Sequence, residues 1–205
     1  MGESGAITVA VLPIRVRETV GAHGRARRSL TVFCPRRAKS LRLRECAHCP
    51  RLLDGTDTEL RCTPDAPEAF VGSAMSTRAL CVRVDARAAE YERPFTASRQ
   101  WVLPVVDVAA CVVGVVWRQD MRERPSRPGG ALGAALGAEE RAAEVMDARD
   151  LTVPEDASVT AAAERMRAMR TRALVVTSAT RPGVVVGVVT DLELLRWVAK
   201  SHVAA

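Results

Sequence analysis

The chain has 205 residues, of which 48% are hydrophobic and only 3% aromatic, and its formal net charge is +6 at pH 7. This length and apolar content suffice for one large or two small domains with packed cores. The scarcity of aromatic residues leaves few side chains for stacking on nucleic-acid bases. The positive charge permits an anionic partner but does not identify one.

No membrane span is predicted. The longest apolar run, WVLPVVDVAACVVGVVW, is interrupted by Pro104 and Asp107 and falls short of the roughly 20 clean residues that a spanning helix needs. It is better described as two buried strands around a turn. The stretch that begins at Met1 does not resemble a signal peptide, so we expect a cytoplasmic protein whose six cysteines stay reduced unless they bind a metal.

Residues 1–70 are predicted to form a small Cys-rich, zinc-ribbon-like domain. Cys46 and Cys49 form a CxxC pair, with Cys34 before it and Cys62 after it. Four thiolates on two loops suit a tetrahedral structural zinc ion, and His48 inside the pair is a fallback ligand. An iron-sulfur or thiol redox sensor and ordinary reduced cysteines stay open as alternatives.

A basic stretch overlaps this Cys-rich segment. Residues 25–44, RARRSLTVFCPRRAKSLRLR, contain eight Arg and Lys and no acidic residue. Such a stretch permits binding to nucleic acid through phosphate contacts.

Two similar halves follow, which predict an internal repeat. An offset of 71 residues aligns Met75 with Met146, and an offset of 73 then aligns Gly114 with Gly187. We expect a first repeat over residues 71–125, a linker over 126–140 and a second repeat over 141–205. The two added residues lie in a loop between two strands, where an insertion costs little.

Each half is predicted to run strand, helix, strand, strand, helix, which gives an α/β (α+β) fold in which the two copies pack sheet to sheet. In the second half, PEDAS supplies a helix start, and the helical stripe is Val159, Ala162, Ala163, Met166 and Met169. In the first half, Pro94 is expected to break the corresponding helix.

The stretches VMDARDLTVPEDASV, ALVVT and VVGVVTDLELL, in this order and spacing, resemble a cystathionine beta-synthase (CBS) domain. The tandem from about Val71 to Lys200 is similar to a CBS pair, also called a Bateman module. The resemblance implies a regulatory module that binds AMP, ADP, ATP or S-adenosylmethionine between the repeats, commonly as a homodimer.

The resemblance also implies ligand-binding positions. In the second repeat these are Thr152 and Val153, the segment Thr171, Arg172 and Ala173, and then Thr190 and Glu193; in the first repeat Asp120 keeps the carboxylate position. The hydroxyl would contact phosphate and the carboxylate would accept bonds from ribose. Because Trp117 replaces the hydroxyl and Cys81 replaces Thr152, we expect the first-repeat site to be weaker or empty.

Motifs for catalysis are missing from the sequence. None of its three histidines lies in a motif with a nucleophile or a paired carboxylate, and no phosphate loop, GxGxxG or GxSxG occurs. We therefore predict a cytoplasmic regulatory protein that senses an adenine nucleotide and is not an enzyme. The alternatives are a zinc-dependent nucleic-acid-binding protein that the CBS pair regulates and, third, a thiol or iron-sulfur redox sensor.

Overall fold

The structure, a computed structural model, describes residues 9–63, 69–123 and 139–203. The start of the chain and residues 126–138 of the predicted linker lie outside the described residues, so the expectations for those segments stay predictions. Among the helices described, none is long and apolar enough to cross a bilayer.

The strands are β1 (Ala10–Val20), β2 (Ala26–Cys34), β3 (Lys39–Arg42), β4 (Leu52–Gly55), β5 (Glu59–Cys62), β6 (Arg78–Arg83), β7 (Val102–Val106), β8 (Val112–Trp117), β9 (Thr152–Pro154), β10 (Ala173–Thr177) and β11 (Val185–Thr190). The helices are α1 (Leu43–Ala47), α2 (Val71–Ala74), α3 (Ala88–Ser98), α4 (Arg118–Glu123), α5 (Ala142–Val145), α6 (Val159–Ala168) and α7 (Asp191–Val203).

Both halves contain the predicted order of elements. The first repeat runs β6, α3, β7, β8, α4, and the second runs β9, α6, β10, β11, α7. In each repeat the first two strands pair in parallel and the last two pair antiparallel. A helical crossover between parallel strands places the helix over one face of the small sheet.

The cores of the two repeats merge. One buried cluster combines first-repeat residues such as Cys81, Val102 and Val115 with second-repeat residues such as Leu174 and Val185. Each sheet therefore covers the open face of the other, as the sequence predicted from the incompleteness of one copy.

The Cys-rich segment does not form a separate ribbon domain. Its strand β1 pairs in parallel with β6, from Val16 opposite Arg78 to Val20 opposite Val82. The larger sheet consequently has the order β3-β2-β1-β6-β7-β8, and the β4-β5 hairpin joins it where β5 pairs with the first residues of β1. Strand β1 pairs with an edge of β6, and this long-range pairing was not predicted from the sequence.

Helix α6 begins where the sequence predicted. The Ser158 side chain accepts a hydrogen bond from the Ala161 backbone N–H at 3.0 Å and so caps the helix. The buried residues of its predicted stripe are Val159, Ala162 and Met166, whereas Met169 is half-buried and Ala163 is exposed. The stripe is thus narrower than predicted.

Helix α3 continues through Pro94, so the predicted break was wrong. Proline in a helix interior removes one backbone hydrogen bond. On either side of it, Tyr91 and Phe95 are each only 1% exposed. Burial of two aromatic side chains contributes several kcal/mol, about 1.5–3 for a residue such as Phe, and offsets that loss.

Candidate functional site

Each repeat contributes its short leading helix to the other repeat. Phe70, which precedes α2, forms an antiparallel bridge with Ser158 at the start of α6. Arg141, which precedes α5, forms the matching bridge with Arg87 at the start of α3. The exchange is reciprocal, so residues of both repeats build each space between them.

Two glycines occupy equivalent positions in this exchange. A methyl group on Gly114 would lie 2.8 Å from Met146 Sδ, and one on Gly187 would lie 2.6 Å from Met75 Sδ. Each glycine is therefore in contact with the methionine of the other repeat. The environments match, as the two sequence offsets predicted.

The interface contains two clefts that the repeat relates to each other. Cleft A lies between β8 and the segment that leads into β9, and it holds a cavity of about 160 Å³ lined by Val112, Val113, Gly114, Val115, Ala148, Arg149, Asp150, Leu151, Thr152 and Val175. Cleft B is defined by the equivalent residues, Val185–Val188 of β11 and Thr77–Cys81 at the start of β6.

A network of three side chains forms the polar edge of cleft A. Asp150 accepts hydrogen bonds from the Thr152 hydroxyl at 2.6 Å and from Arg165 Nη2 at 2.8 Å. The Thr152 bond, followed by the neighbouring guanidinium, lowers the pKa of the Asp150 carboxyl. A carboxylate and a hydroxyl are thus held in place beside the cavity.

A second carboxylate lies where β8 meets the leading segment. Asp147 accepts from Trp117 Nε1 at 3.2 Å and from Arg149 Nη2 at 2.6 Å. The hydrogen bonds from Arg149 are the main cause of a lowered pKa of Asp147, about 2. Trp117 is half-buried against the shared core, so it serves as packing and as a donor to the other repeat.

At cleft B the carboxylate is that of Glu193. It accepts a hydrogen bond from the Ser76 hydroxyl of the first repeat, and at 2.8 Å from the Thr190 backbone N–H. Burial is the main cause of its raised pKa, and the hydrogen bonds from Thr190 oppose the shift. The carboxylate already has partners from both repeats.

The predicted ligand residues divide between the two clefts. Thr152 lines cleft A, and its neighbour Val153 is buried in the core. Thr190 and Glu193 lie at cleft B, and the segment 171–173 lies beside them because Ala173 pairs with Thr190. Arg172 donates to Asp191 at 2.7 Å, and Asp120 is exposed in α4.

Three residues at the clefts were not predicted from the sequence. Ser76, Asp147 and Arg149 all lie in the leading segments, and Ser76 aligns with Asp147 at the offset of 71. That alignment was the available signal. It was missed because each ligand site was assigned to one repeat, whereas the exchange of leading helices builds each cleft from both.

Three of the four cysteines of the N-terminal segment lie in or against one small hydrophobic cluster. Cys46 is 8% exposed and packs with Leu12, and Cys34 and Cys62 lie against the same cluster. Burial first, and then the charges of Cys34, Cys49 and Cys62, raise the pKa of the Cys46 thiol to about 11.

Among the described residues, these cysteines are not arranged as a formed metal site. Within the ranges described above, no group of three or more His, Cys, Asp or Glu side chains is arranged to hold a metal ion, and all six cysteines are free. His48 is exposed and its Nδ1 lies 2.8 Å from the Arg44 carbonyl oxygen.

Comparison with known proteins finds a matching domain family and solved structures with a similar fold. The family model of the CBS domain matches residues 142–200, which hold the second repeat. No curated protein matches the chain in sequence.

Solved structures share the fold. The CBS domain of a CBS domain-containing membrane protein from Sphaerobacter thermophilus is 23% identical, with 63% of this chain and 88% of the other covered and a TM-score of 0.53. CBSX2 in complex with AMP is 20% identical, with 67% and 99% covered and a TM-score of 0.53.

The cystathionine beta-synthase pair domain of SO5017 from Shewanella oneidensis MR-1 is 19% identical, with 66% and 73% covered and a TM-score of 0.51. At these identities the likeness concerns the fold. Residues 142–200 are therefore a CBS domain, and the architecture that contains it is the one found in CBS-pair proteins.

Proposed function

We propose that the two repeats form a regulatory module that binds an adenine nucleotide in cleft A. The observation that carries the proposal is the cavity between β8 and the segment before β9, where an apolar wall meets fixed polar groups. The CBS domain at residues 142–200 and the AMP complex of CBSX2, which has the same fold, support the class of ligand.

The residues of cleft A suit the parts of a nucleotide. The strand Val112–Val115 offers an apolar wall for the base, and the Arg149 side chain, 56% exposed, offers a guanidinium for phosphate. Asp120 holds the position that Glu193 has in cleft B, so its carboxylate is available to ribose hydroxyls. A cavity of about 160 Å³ encloses one part of such a ligand, since pockets for whole drug-sized molecules span about 300–1,000 Å³.

Calorimetry with AMP, ATP and S-adenosylmethionine tests this proposal. Thr152→Val removes the cleft A hydroxyl, and loss of a hydrogen bond to a charged group should weaken binding by roughly ten- to a hundredfold. Thr190→Val is the control, because it removes a hydroxyl that lies at cleft B. No binding at millimolar ligand, or a larger loss in Thr190→Val than in Thr152→Val, would contradict the assignment.

We also propose that Cys34, Cys46, Cys49 and Cys62 bind one structural zinc ion. The supporting observation is that β2, α1 and β5 bring Cys34, Cys46 and Cys62 to one cluster, and that the charge of Cys49 acts on Cys46 and Cys62. Elemental analysis of protein purified under reducing conditions should find one zinc per chain. Cys46→Ser with Cys49→Ser should lose it, and Cys111→Ser should keep it. Metal-free wild-type protein would refute the site, and visible absorbance would indicate an iron-sulfur centre.

Nucleic-acid binding is a second candidate function, which the surface of the basic segment favours. Its seven arginines are all exposed, namely Arg25, Arg27, Arg28, Arg36, Arg37, Arg42 and Arg44. A salt titration of RNA and DNA binding measures phosphate contacts directly, since each contributes about 0.9 to the slope of log affinity against log salt. Arg36→Ala with Arg37→Ala should lower that slope, whereas Arg93→Ala on α3 should not. Salt-independent or absent binding would exclude this function.

We further propose a homodimer that forms through α7. Leu192, Leu195 and Val198 recur at every third position of this helix and are 49%, 66% and 39% exposed. An exposed apolar stripe of this kind is typical of a contact surface. Native mass spectrometry should find a dimer that Leu195→Glu dissociates and that Val108→Glu, in an exposed turn, leaves intact. A monomeric wild-type protein would contradict the proposal.

A further inference from the structure

Strand β1 covers residues of the first repeat whose equivalents in the second repeat line the open cavity of cleft A. At the offset of 71, Thr77–Cys81 correspond to Ala148–Thr152, which line the cavity of cleft A. The Val16 backbone N–H donates to the Thr77 carbonyl at 2.8 Å, and Thr19 lies opposite Cys81 in the ladder. The corresponding strand β9 pairs only with β10 among the described strands.

Two arginines of β1 reach further into cleft B. Arg17 Nη1 donates to the carbonyl oxygen of Val185, which is the position equivalent to Val112 in the wall of cleft A. Arg15 Nη2 donates to the Ser73 carbonyl at 3.2 Å, and the negative charges of Glu155 and Glu193 act on its guanidinium.

Arg15 is a buried charge with spare donors. It is 3% exposed, and its Nε and Nη1 have no hydrogen-bond partner among the described residues. A buried guanidinium is tolerated where carboxylates compensate its charge. For Arg15 that compensation comes first from Glu155 and then from Glu193, the carboxylate to which the CBS resemblance assigns contact with ribose.

We infer that β1 is the resident occupant of cleft B and that Arg15 and Arg17 restrict ligand binding to cleft A. The two arginine side chains donate to the Ser73 and Val185 carbonyl oxygens at cleft B, and the charge of Glu193, the carboxylate that a ligand would need, acts on Arg15. The expectation of one ligand per chain rests on the proposed nucleotide binding. The placement of β1 and its two arginines at cleft B does not depend on it.

The docked strand is held too firmly for a weak ligand to displace it. Release of β1 from cleft B breaks a parallel ladder of five residue pairs and the contacts of both arginines. A ligand that binds with a Kd of 1 mM supplies only about 4 kcal/mol. We therefore expect the full chain to bind ligand at cleft A alone.

Calorimetry with AMP on the full chain tests the inference first. Wild-type protein should bind one equivalent, and Thr152→Val should weaken all of the binding. Arg15→Ala with Arg17→Ala should bind a second equivalent, because it removes the two side chains that close cleft B and leaves the backbone pairing of β1 in place. The single variant Arg17→Ala serves if the double variant does not fold. Two equivalents in the wild type, or one in a folded arginine variant, would overturn the inference.

Hydrogen exchange separates this inference from the proposed function. In the arginine variant, amides of β6 and β11 should exchange at least tenfold faster than in wild type, whereas Arg28→Ala on neighbouring β2 should leave them unchanged. If wild type binds no AMP, the nucleotide proposal fails and exchange alone decides. Equal exchange in wild type, the arginine variant and Arg28→Ala would then show that the arginines do not hold cleft B closed.

Discussion

Glu155 joins the N-terminal segment to the second repeat through one fully buried carboxylate. It accepts hydrogen bonds from the Ser40 backbone N–H at 2.7 Å, the Ser40 hydroxyl at 2.5 Å and the Ala179 N–H at 3.1 Å. Glu155→Ala leaves three half-buried donors without their acceptor and removes a carboxylate that compensates the buried Arg15, so we expect a loss of about 3 kcal/mol in the free energy of unfolding. Urea denaturation measures it.

The adjacent substitution Asp156→Ala is the control for that measurement. Asp156 is exposed, so its removal should change stability by less than about 0.5 kcal/mol. Equal effects of the two substitutions would mean that Glu155 does not link the segments.

The pH dependence of stability should report on Asp147. Its pKa in the folded protein is about 2, below the ordinary value of 3.8 for an aspartate, so the unfolded chain binds more protons between these two pH values. The stabilisation is full above about pH 4 and is lost as pH falls toward 2, and solvent screening keeps it near 1 kcal/mol. In urea titrations from pH 5 to pH 3, the difference between wild type and Asp147→Asn should shrink. A constant difference would contradict the assignment.

At the scale of elements, the two glycine contacts between repeats differ in how they tolerate a methyl group. At Gly187 the methyl meets only the Met75 side chain, whereas at Gly114 it also lies 2.9 Å from the Asp147 carbonyl oxygen. We expect Gly114→Ala to cost about 1–3 kcal/mol and Gly187→Ala less. Double-mutant cycles measure the cause: Met75→Ala should relieve Gly187→Ala, and Met146→Ala should not relieve Gly114→Ala. Equal relief in both cycles would show that backbone contact is unimportant.

The elements also show what the sequence could predict. Local patterns determine the strand, helix, strand, strand, helix order, and the offsets pair Gly114 with Gly187 because equivalent residues meet equivalent neighbours. The parallel pairing of β1 with β6 depends on a free sheet edge far along the chain, which periodicity does not encode. The predicted helix break at Pro94 was wrong because helix propensity does not include the burial of the neighbouring Tyr91 and Phe95. The contributions of Ser76, Asp147 and Arg149 to the clefts were not predicted, because nothing local indicates that the leading helices are exchanged between the repeats.

At the scale of the whole molecule, β1 should make the N-terminal segment and the repeats unfold together. It pairs with β2 and β5 of the segment and with β6 of the first repeat. All three tryptophans lie in the repeats, whereas Cys46 is 8% exposed in the segment. Tryptophan fluorescence and mass-mapped labelling of Cys46, both followed through urea with a chelator present, should give one midpoint, since coincident probes indicate a two-state transition. Labelling of Cys46 at lower urea would instead show an independent domain at residues 1–70, held to the repeats only by weak contacts.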